Sequence, residues 1–342
     1  MNPVLLSLLV FTASLVTTLG LVGWIMRSAA PLDVPNDRSL HQAPVPRGGG
    51  AAIVIVGLLA LLVAAWWFPL SPSILWALLA VGLLLGGVGW LDDHYQLSIV
   101  YRLPVQIGVA LLVLWLVGPL ESLRFGGVSL PLGWLSALFT LLWIVWLSNL
   151  YNFMDGIDGL AAVETLVAAL TIGLWFGVAG AWSLALFCAA LAGGSAGFLW
   201  FNRPPARVFM GDVGSATLGG LFATLAVVGS VQYNLPLGAF LILFGYFIYD
   251  ATFTLFKRLL RGEKWWQPHR SHLYQRAVSA GLSHGRVTSI VLLINLVLAV
   301  LASLELYAVP PRPLWSGLAI FLLLAVHAAV RSGEQCLSAR PS

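Results

Sequence analysis

The sequence predicts an all-α fold: a polytopic membrane bundle of about eleven transmembrane helices forming a single domain over residues 1–342. Three observations predict it. Only 9% of the residues are charged and 60% are hydrophobic, whereas an average soluble domain carries about a quarter charged residues. Apolar stretches of about 20 residues, enough to span a bilayer, recur from end to end. Lysine and arginine are confined almost entirely to alternate connecting segments.

The spans are read, in order, at 4–26, 50–68, 73–91, 103–118, 134–150, 159–178, 181–200, 213–231, 236–257, 287–307 and 314–331. The first is not read as a cleavable leader, because it lacks a basic start, is too long and precedes no small-residue cleavage site. Gly82 and Gly86, and Gly193 and Gly197, sit four apart and would let helices approach closely. Glu121–Gly133 is read as a small hairpin between spans. Tryptophans such as Trp66, Trp67, Trp90, Trp134 and Trp200 fall near span ends, as interfacial anchors do. Cys188 lies within a span and Cys336 in the tail, so no disulfide is expected.

An odd number of spans puts the termini on opposite sides. One side then holds 27–49, 92–102, 151–158, 201–212, 258–286 and the tail. Fifteen of the seventeen lysines and arginines lie in or beside those segments, leaving Arg124 and Arg312 opposite. That side is therefore read as cytoplasmic, with the N-terminus outside and the C-terminus inside.

The acids follow the same division. Eleven of thirteen lie on the cytoplasmic side, the exceptions being Glu121 and Glu305, and His327 is the one histidine placed within a span. Chemistry is therefore expected on the cytoplasmic face, in five segments.

Asp33–Gly50 is rich in Pro and Gly and reads as an ordered loop. Its Arg38, His41 and Arg47 suit a phosphate. Asp92 and Asp93 close the third span. Adjacent helical residues point about 100° apart, so the pair can serve two partners. A carboxylate at a helix C-terminus opposes the helix dipole and needs a reason to be there. In NLYNFMDGIDGLA, Asn152, Asp155 and Asp158 recur every three residues and share a face if the segment is helical. Such hard oxygen ligands suit Mg²⁺ or Mn²⁺ rather than zinc. Glu164 lies beyond them inside a span, as a functional or a structurally paired acid.

The fourth segment is FNRPPARVFMGDVGSATLGG. Here Asp212 opens a span, where a helix N-terminus favours anions, and Arg203 and Arg207 precede it. Asp250 is a further buried acid near a span end. The last loop brings many basic residues with His269, Arg270, His272, Arg276 and His284. It suits anionic lipid or a diphosphate equally.

Aspartates at a bilayer edge beside basic loops point to phosphoryl chemistry, with a divalent ion and Arg or His neutralising a diphosphate. A lipid-phosphate acceptor explains the membrane location. No Gly-x-Ser-x-Gly elbow supports serine hydrolysis. No Walker lysine supports ATP-driven transport, and nothing resembles a nucleic-acid motif. A secondary transporter would place acids near the midplane in inverted repeats, and neither is seen here.

DD at 92–93, NxxDGxDGL at 152–160, FMGDxGS at 209–215 and a histidine-bearing last loop occur in the order of a known family. Across residues 30–290 the chain resembles the polyprenyl-phosphate N-acetylhexosamine-1-phosphate transferases, relatives of phospho-MurNAc-pentapeptide transferase. The loop with Asp33, Asn36, Arg38, His41 and Arg47 looks most like the branch that primes O-antigen and related polysaccharides. The resemblance implies a bacterial inner-membrane enzyme with its cleft facing the cytoplasm. Undecaprenyl phosphate would attack the β-phosphorus of a UDP-N-acetylhexosamine, with Mg²⁺ required, and a homodimer would fit the relatives. It implies metal binding by Asp212 with Asp93. Asp92 or Asp93 would orient or deprotonate the lipid phosphate, and Asp155 and Asp158 would act near metal and nucleotide. Asn152, Arg38, His41, Arg47, Arg207, His269, Arg270 and His272 would contact substrate.

Two departures separate the chain from the pentapeptide enzymes. Gln96 stands where they have a lysine, and PHRSHLYQR replaces a run of histidines. The donor sugar is left open among GlcNAc, GalNAc and 6-deoxy forms such as FucNAc or QuiNAc.

Overall fold

A computed structural model describes residues 2–28, 31–34, 44–263 and 269–338. The helices are α1 Pro3–Ile25, α2 Gly50–Trp67, α3 Pro72–Ala80, α4 Gly86–Tyr95, α5 Ile99–Val117, α6 Ser136–Phe153 and α7 Leu160–Val178. They continue with α8 Trp182–Asn202, α9 Asp212–Gln232, α10 Leu237–Leu243, α11 Gly245–Leu260, α12 Leu273–Ser279, α13 His284–Leu306 and α14 Arg312–Ser338. Among the described residues ten helical stretches are long and apolar enough to cross a membrane, α3 and α4 counting as one. The chain is thus an all-α polytopic membrane bundle. Two small antiparallel hairpins complete it. Leu32–Asp33 (β1) pairs with Val45–Pro46 (β2), and Ser122–Phe125 (β3) pairs with Val128–Pro131 (β4), the hairpin expected at 121–133.

The helices begin where the sequence offers caps. Asn2 accepts the Val4 N–H at 2.9 Å ahead of Pro3 at the first helical position, the arrangement that satisfies an orphan donor. Ser283 does the same for Arg286 at the start of α13. α4 ends at Gln96, whose left-handed φ of 50° stops the helix,.

α9 is the centre of the bundle. Of its most apolar stretch 89% is buried, against 11% for α1 and for α14, which form the lipid-exposed flanks. Close packing requires small residues where helices cross. A Cβ at Gly89 of α4 would lie 2.6 Å from the Asp212 carbonyl at the start of α9. That contact brings the 92–93 acid pair to Asp212. Between α3 and α4 the residues Val81–Leu85 form a π-helical turn, a local widening often found near functional sites.

Two spans differ from expectation. The fourth span, α5, starts at Ile99 rather than near Leu103, so Arg102 stands in the first helical turn and not in a connecting loop. The ninth span is broken, α10 and α11 meeting at 78°. Hydropathy is blind to this, because the apolar run is continuous through Phe244. The signal lies in the spacing of the buried residues beyond it: Gly245, Tyr246, Phe247, Asp250, Ala251, Thr254 and Arg258 line one face of α11. The opposite face is apolar and partly open. With α14 and the β3–β4 hairpin it forms a groove of about 740 Å³ that includes Leu241, Ile248, Phe253, Phe256 and Leu323.

Candidate active site

The site assembles at the N-terminus of α9. Residues 46–50 and 209–210 run side by side. The Phe209 N–H donates to the Pro46 carbonyl at 2.8 Å, and the N–H groups of Gly49 and Gly50 donate to Phe209 and Met210 at 3.0 and 2.9 Å. This pairing fixes Arg47 next to Asp212. Gly211 enters α9 at φ 76°, a left-handed conformation that glycine adopts without penalty,. A side chain there would also collide with the Asp93 carboxylate.

The expected divergence of Asp92 and Asp93 is present, and it assigns them different partners. Asp93 is buried. Its Oδ1 accepts the Asp212 N–H at 2.9 Å and its Oδ2 the Val213 N–H at 3.2 Å. The first N–H groups of a helix have no intrahelical acceptor. Asp93 therefore caps α9 from another helix. This answers why an acid stands at the unfavourable end of α4: the same carboxylate stands at the favourable end of α9.

Asp92 faces the cleft. Arg102 Nη1 donates to Asp92 Oδ2 at 2.6 Å and to Asp212 Oδ2 at 2.7 Å. One nitrogen thus holds the two carboxylates side by side. Arg47 closes the other flank, with Nη2 3.3 Å from Asp212 Oδ1 and Nε 3.4 Å from Asp93 Oδ1. Burial works against the Arg47 cation. The charges of Asp212, Asp93, Asp33 and Asp155 outweigh it and hold the guanidinium protonated still more firmly than usual. Arg102 Nε is buried without a protein partner.

Asn152 sits on the last turn of α6 and donates to Ser215 Oγ on α9 at 3.1 Å. Arg102, Gln106, Asn149, Asn152 and Asp212 border a cavity of about 10 Å³ beneath the cluster, room for about one water. The helical face expected to join Asn152, Asp155 and Asp158 does not form, because α6 ends at Phe153 and α7 starts at Leu160. Asp155 stays near the cluster in the intervening turn. Burial pushes its carboxyl well above the usual carboxylate range. Arg47 opposes that shift, while Asp212, Asp93 and Asp158 reinforce it.

Asp158 turns elsewhere. Its Oδ2 accepts the Ala206 N–H at 3.1 Å and lies 3.3 Å from His284 Nδ1. Its backbone carbonyl accepts the Thr288 hydroxyl at 2.7 Å. Its contacts tie the 201–206 link and α13 to the 154–159 turn.

The remaining expected substrate residues divide. Arg38 and His41 lie outside the described residues. Arg207 is exposed in the link between α8 and α9, donating to the Trp200 carbonyl at 3.2 Å with its guanidinium over the Phe201 ring. His272 is buried and stacked between Phe153 and Tyr274, with Nδ1 3.3 Å from Asp250. His269 is half-buried, its ring 4.8 Å from that of His272, and Arg270 beside it is exposed.

Asp250 and Glu164, the acids without an evident partner in the sequence, both have one. Asp250 accepts N–H groups from Leu273 at 2.8 Å and Tyr274 at 3.3 Å, capping α12. Glu164 accepts from Asn295 of α13.

Among the described residues no three His, Cys, Asp or Glu side chains gather closely enough to cage an ion. Magnesium is commonly held by only one or two carboxylates, with water and substrate phosphate completing its shell. Asp212 and Asp92, with Asn152 and Asp155 nearby, are hard oxygen donors of that kind. Asp93 is already engaged by two amides and a guanidinium, so it fits holding Asp212 better than holding the ion.

A model of the family described as glycosyl transferase family 4 matches residues 75–230. The chain is 30% identical over 325 residues to a probable undecaprenyl-phosphate N-acetylglucosaminyl 1-phosphate transferase of Bacillus subtilis, covering 92% of this chain and 88% of that protein. The chain belongs to glycosyl transferase family 4.

Other relatives of this family 4 chain are phospho-N-acetylmuramoyl-pentapeptide-transferases. That of Synechococcus elongatus is 35% identical over 66% of the chain and 68% of its own length. That of Gluconobacter oxydans is 34% identical over 59% and 64%. The family-matched stretch of the family 4 chain contains both acids of the 92–93 pair, Asn152 and Asp212, but not Arg47 and nothing beyond α9. Sequence reasoning missed Arg102. The signal was an arginine in the first turn of a helix, where the dipole disfavours a cation, ten residues after an acid pair.

Proposed function

We propose that the protein transfers an N-acetylhexosamine-1-phosphate from a UDP-sugar to undecaprenyl phosphate, at the cytoplasmic face of a bacterial inner membrane. GlcNAc is the first candidate sugar, since the relative sharing 92% of the chain is named for it. The products are undecaprenyl-diphosphate-sugar and UMP, and the reaction starts an O-antigen or related envelope polysaccharide. The observation that carries this reading is the pair Asp92–Asp212 bridged by one arginine nitrogen at a bundle end, in a family 4 chain that aligns over 92% of its length with one relative.

An oxygen of the lipid phosphate attacks the β-phosphorus of the nucleotide. The bond from that phosphorus to the bridging oxygen breaks, and the oxygen leaves with UMP. Asp92, open to the cleft, orients the acceptor phosphate and takes its proton when it carries one. Arg102 and Arg47 set positive charge beside the phosphates, worth most where water is excluded. Asp93 acts through α9 by fixing where Asp212 stands. Mg²⁺ or Mn²⁺, held by Asp212 with Asp92, Asn152 or Asp155, would neutralise developing phosphate charge. The apolar groove beside α11 suits the polyprenyl tail.

The cytoplasmic placement rests on the arginine and lysine distribution. Gln96 and the missing histidine run argue against the pentapeptide donor. Purified protein with undecaprenyl phosphate, Mg²⁺ and a panel of UDP-N-acetylhexosamines tests the proposal. Lipid-dependent UMP release with one sugar is expected. Folded protein that releases no UMP with any of them would contradict it.

A further inference from the structure

α12 is seven residues long, too short to be stable without tertiary support. Three attachments hold it. Asp250 caps its N-terminus from α11. The Tyr274 hydroxyl donates to the Phe153 carbonyl at 3.0 Å, and its ring occupies the space above Gly156, where no Cβ would fit. Arg276 grips the last helix, with Nε and Nη2 on the two oxygens of Glu334 at 2.7 and 2.5 Å. Such fork-to-fork pairs are the strong, directional class of ion pair.

The third attachment is the unexpected one. α14 is a lipid-exposed flank with little burial. Near its end it is nevertheless fastened twice, by His327 against the rings of Tyr249 and Phe253 on α11 and by Glu334 on α12. The contacts then continue inward without a gap. Arg276 and Tyr274 share α12, Tyr274 braces Phe153 and Gly156, and the next residue along the chain from Met154 is Asp155. His269, half-buried, and His272, buried, lead into α12 in the same segment.

We propose that Arg276 and Glu334 form a positioning clamp by which the last helix sets α12 against the 153–158 turn for binding of the nucleotide-sugar. The substrate half of this claim rests on the transferase reading above. Neither residue touches the aspartate cluster, so the clamp acts through the placement of the 153–158 turn and not by supplying a reacting group. Glu334→Gln raises the donor KM about tenfold and leaves kcat and the lipid-phosphate KM within about twofold, the scale of one coupled pair. The charge-swapped double variant Arg276→Glu with Glu334→Arg brings the donor KM back toward wild type. Loss of packing alone would not be repaired by exchanging the charges.

Hydrogen exchange on the full-length protein in detergent or nanodiscs supplies a second readout that needs no turnover. Backbone amides of 272–279 and 150–158 exchange faster in Glu334→Gln than in wild type if the clamp is present. Unchanged exchange in both segments overturns the clamp, whatever the enzyme's activity. Faster exchange with an unaltered donor KM, in protein that turns over, overturns its link to the substrate.

Discussion

Asp93 and Asp250 do the same local job in two regions. Each is a buried carboxylate that caps the N-terminus of a helix belonging to another part of the chain. The difference lies in what they cap. α9 is 21 residues long, surrounded on all sides, and begins with Asp212 itself. α12 is one short helix at the edge, secured by single side chains. The first cap sharpens the placement of one reactive group in a frame that packing already fixes. The second helps to create the element that it caps. The same bond therefore controls chemistry at one place and local order at the other.

Substitutions separate these roles, beginning with the largest effect. Asp212→Asn and Asp92→Asn each lower kcat about a thousandfold or more while the protein remains monodisperse in detergent. Steady-state rates of either variant near wild type would remove that residue from the reacting centre. Asp93→Asn is expected to cost less, about ten- to a hundredfold, as for residues that orient a ligand rather than supply it. An amide can accept only one of the two N–H groups and turns its NH₂ toward the other, a loss of about 1–3 kcal/mol at a buried cap. Weaker Mn²⁺ binding, followed by paramagnetic resonance, is expected with it. Asp93→Asn as damaging as Asp212→Asn, with Mn²⁺ binding intact, would make Asp93 a reacting group instead.

Asp250→Asn tests the other cap. Its expected signature is faster proteolysis within 261–281 and a raised donor KM, with kcat lowered less than about tenfold. A collapse of kcat with normal protease resistance would show that the two caps are not alike. His327→Ala should be the mildest, within about twofold in kcat, because its ring packs on α11 away from the cluster. A loss there equal to that at Asp212 would mean that the reacting face lies elsewhere.

Much of this was legible in the sequence, and the rest was not for physical reasons. Spans are written as composition, so their number and order followed from apolar runs and the positions of arginine. The bend at Phe244 was invisible because neither helix half changes in hydropathy there. Asp92, Asp212 and Asn152 stood out as acids and amides where a bilayer edge makes them costly. Their grouping could be anticipated, but the partners could not. Arg102 was taken for a connecting residue because the helix was started four residues late. Asp158 and His272 carried the right residue types in the right motifs, and the structure adds the partners that no sequence shows, a backbone amide for one and a buried aspartate for the other. Residue type gives the chemistry available at a position, whereas the direction of a side chain depends on helix ends that the sequence marks only weakly.

The most direct test of the central claim follows one atom. UDP-GlcNAc carrying radioactive phosphorus in the β position is incubated with purified protein, undecaprenyl phosphate and Mg²⁺. The account predicts that the label moves into the lipid in step with UMP release, and that Asp212→Asn abolishes both. Label left in released UDP, with unlabelled sugar on the lipid, would mean cleavage at the sugar carbon and would contradict the proposed phosphoryl transfer.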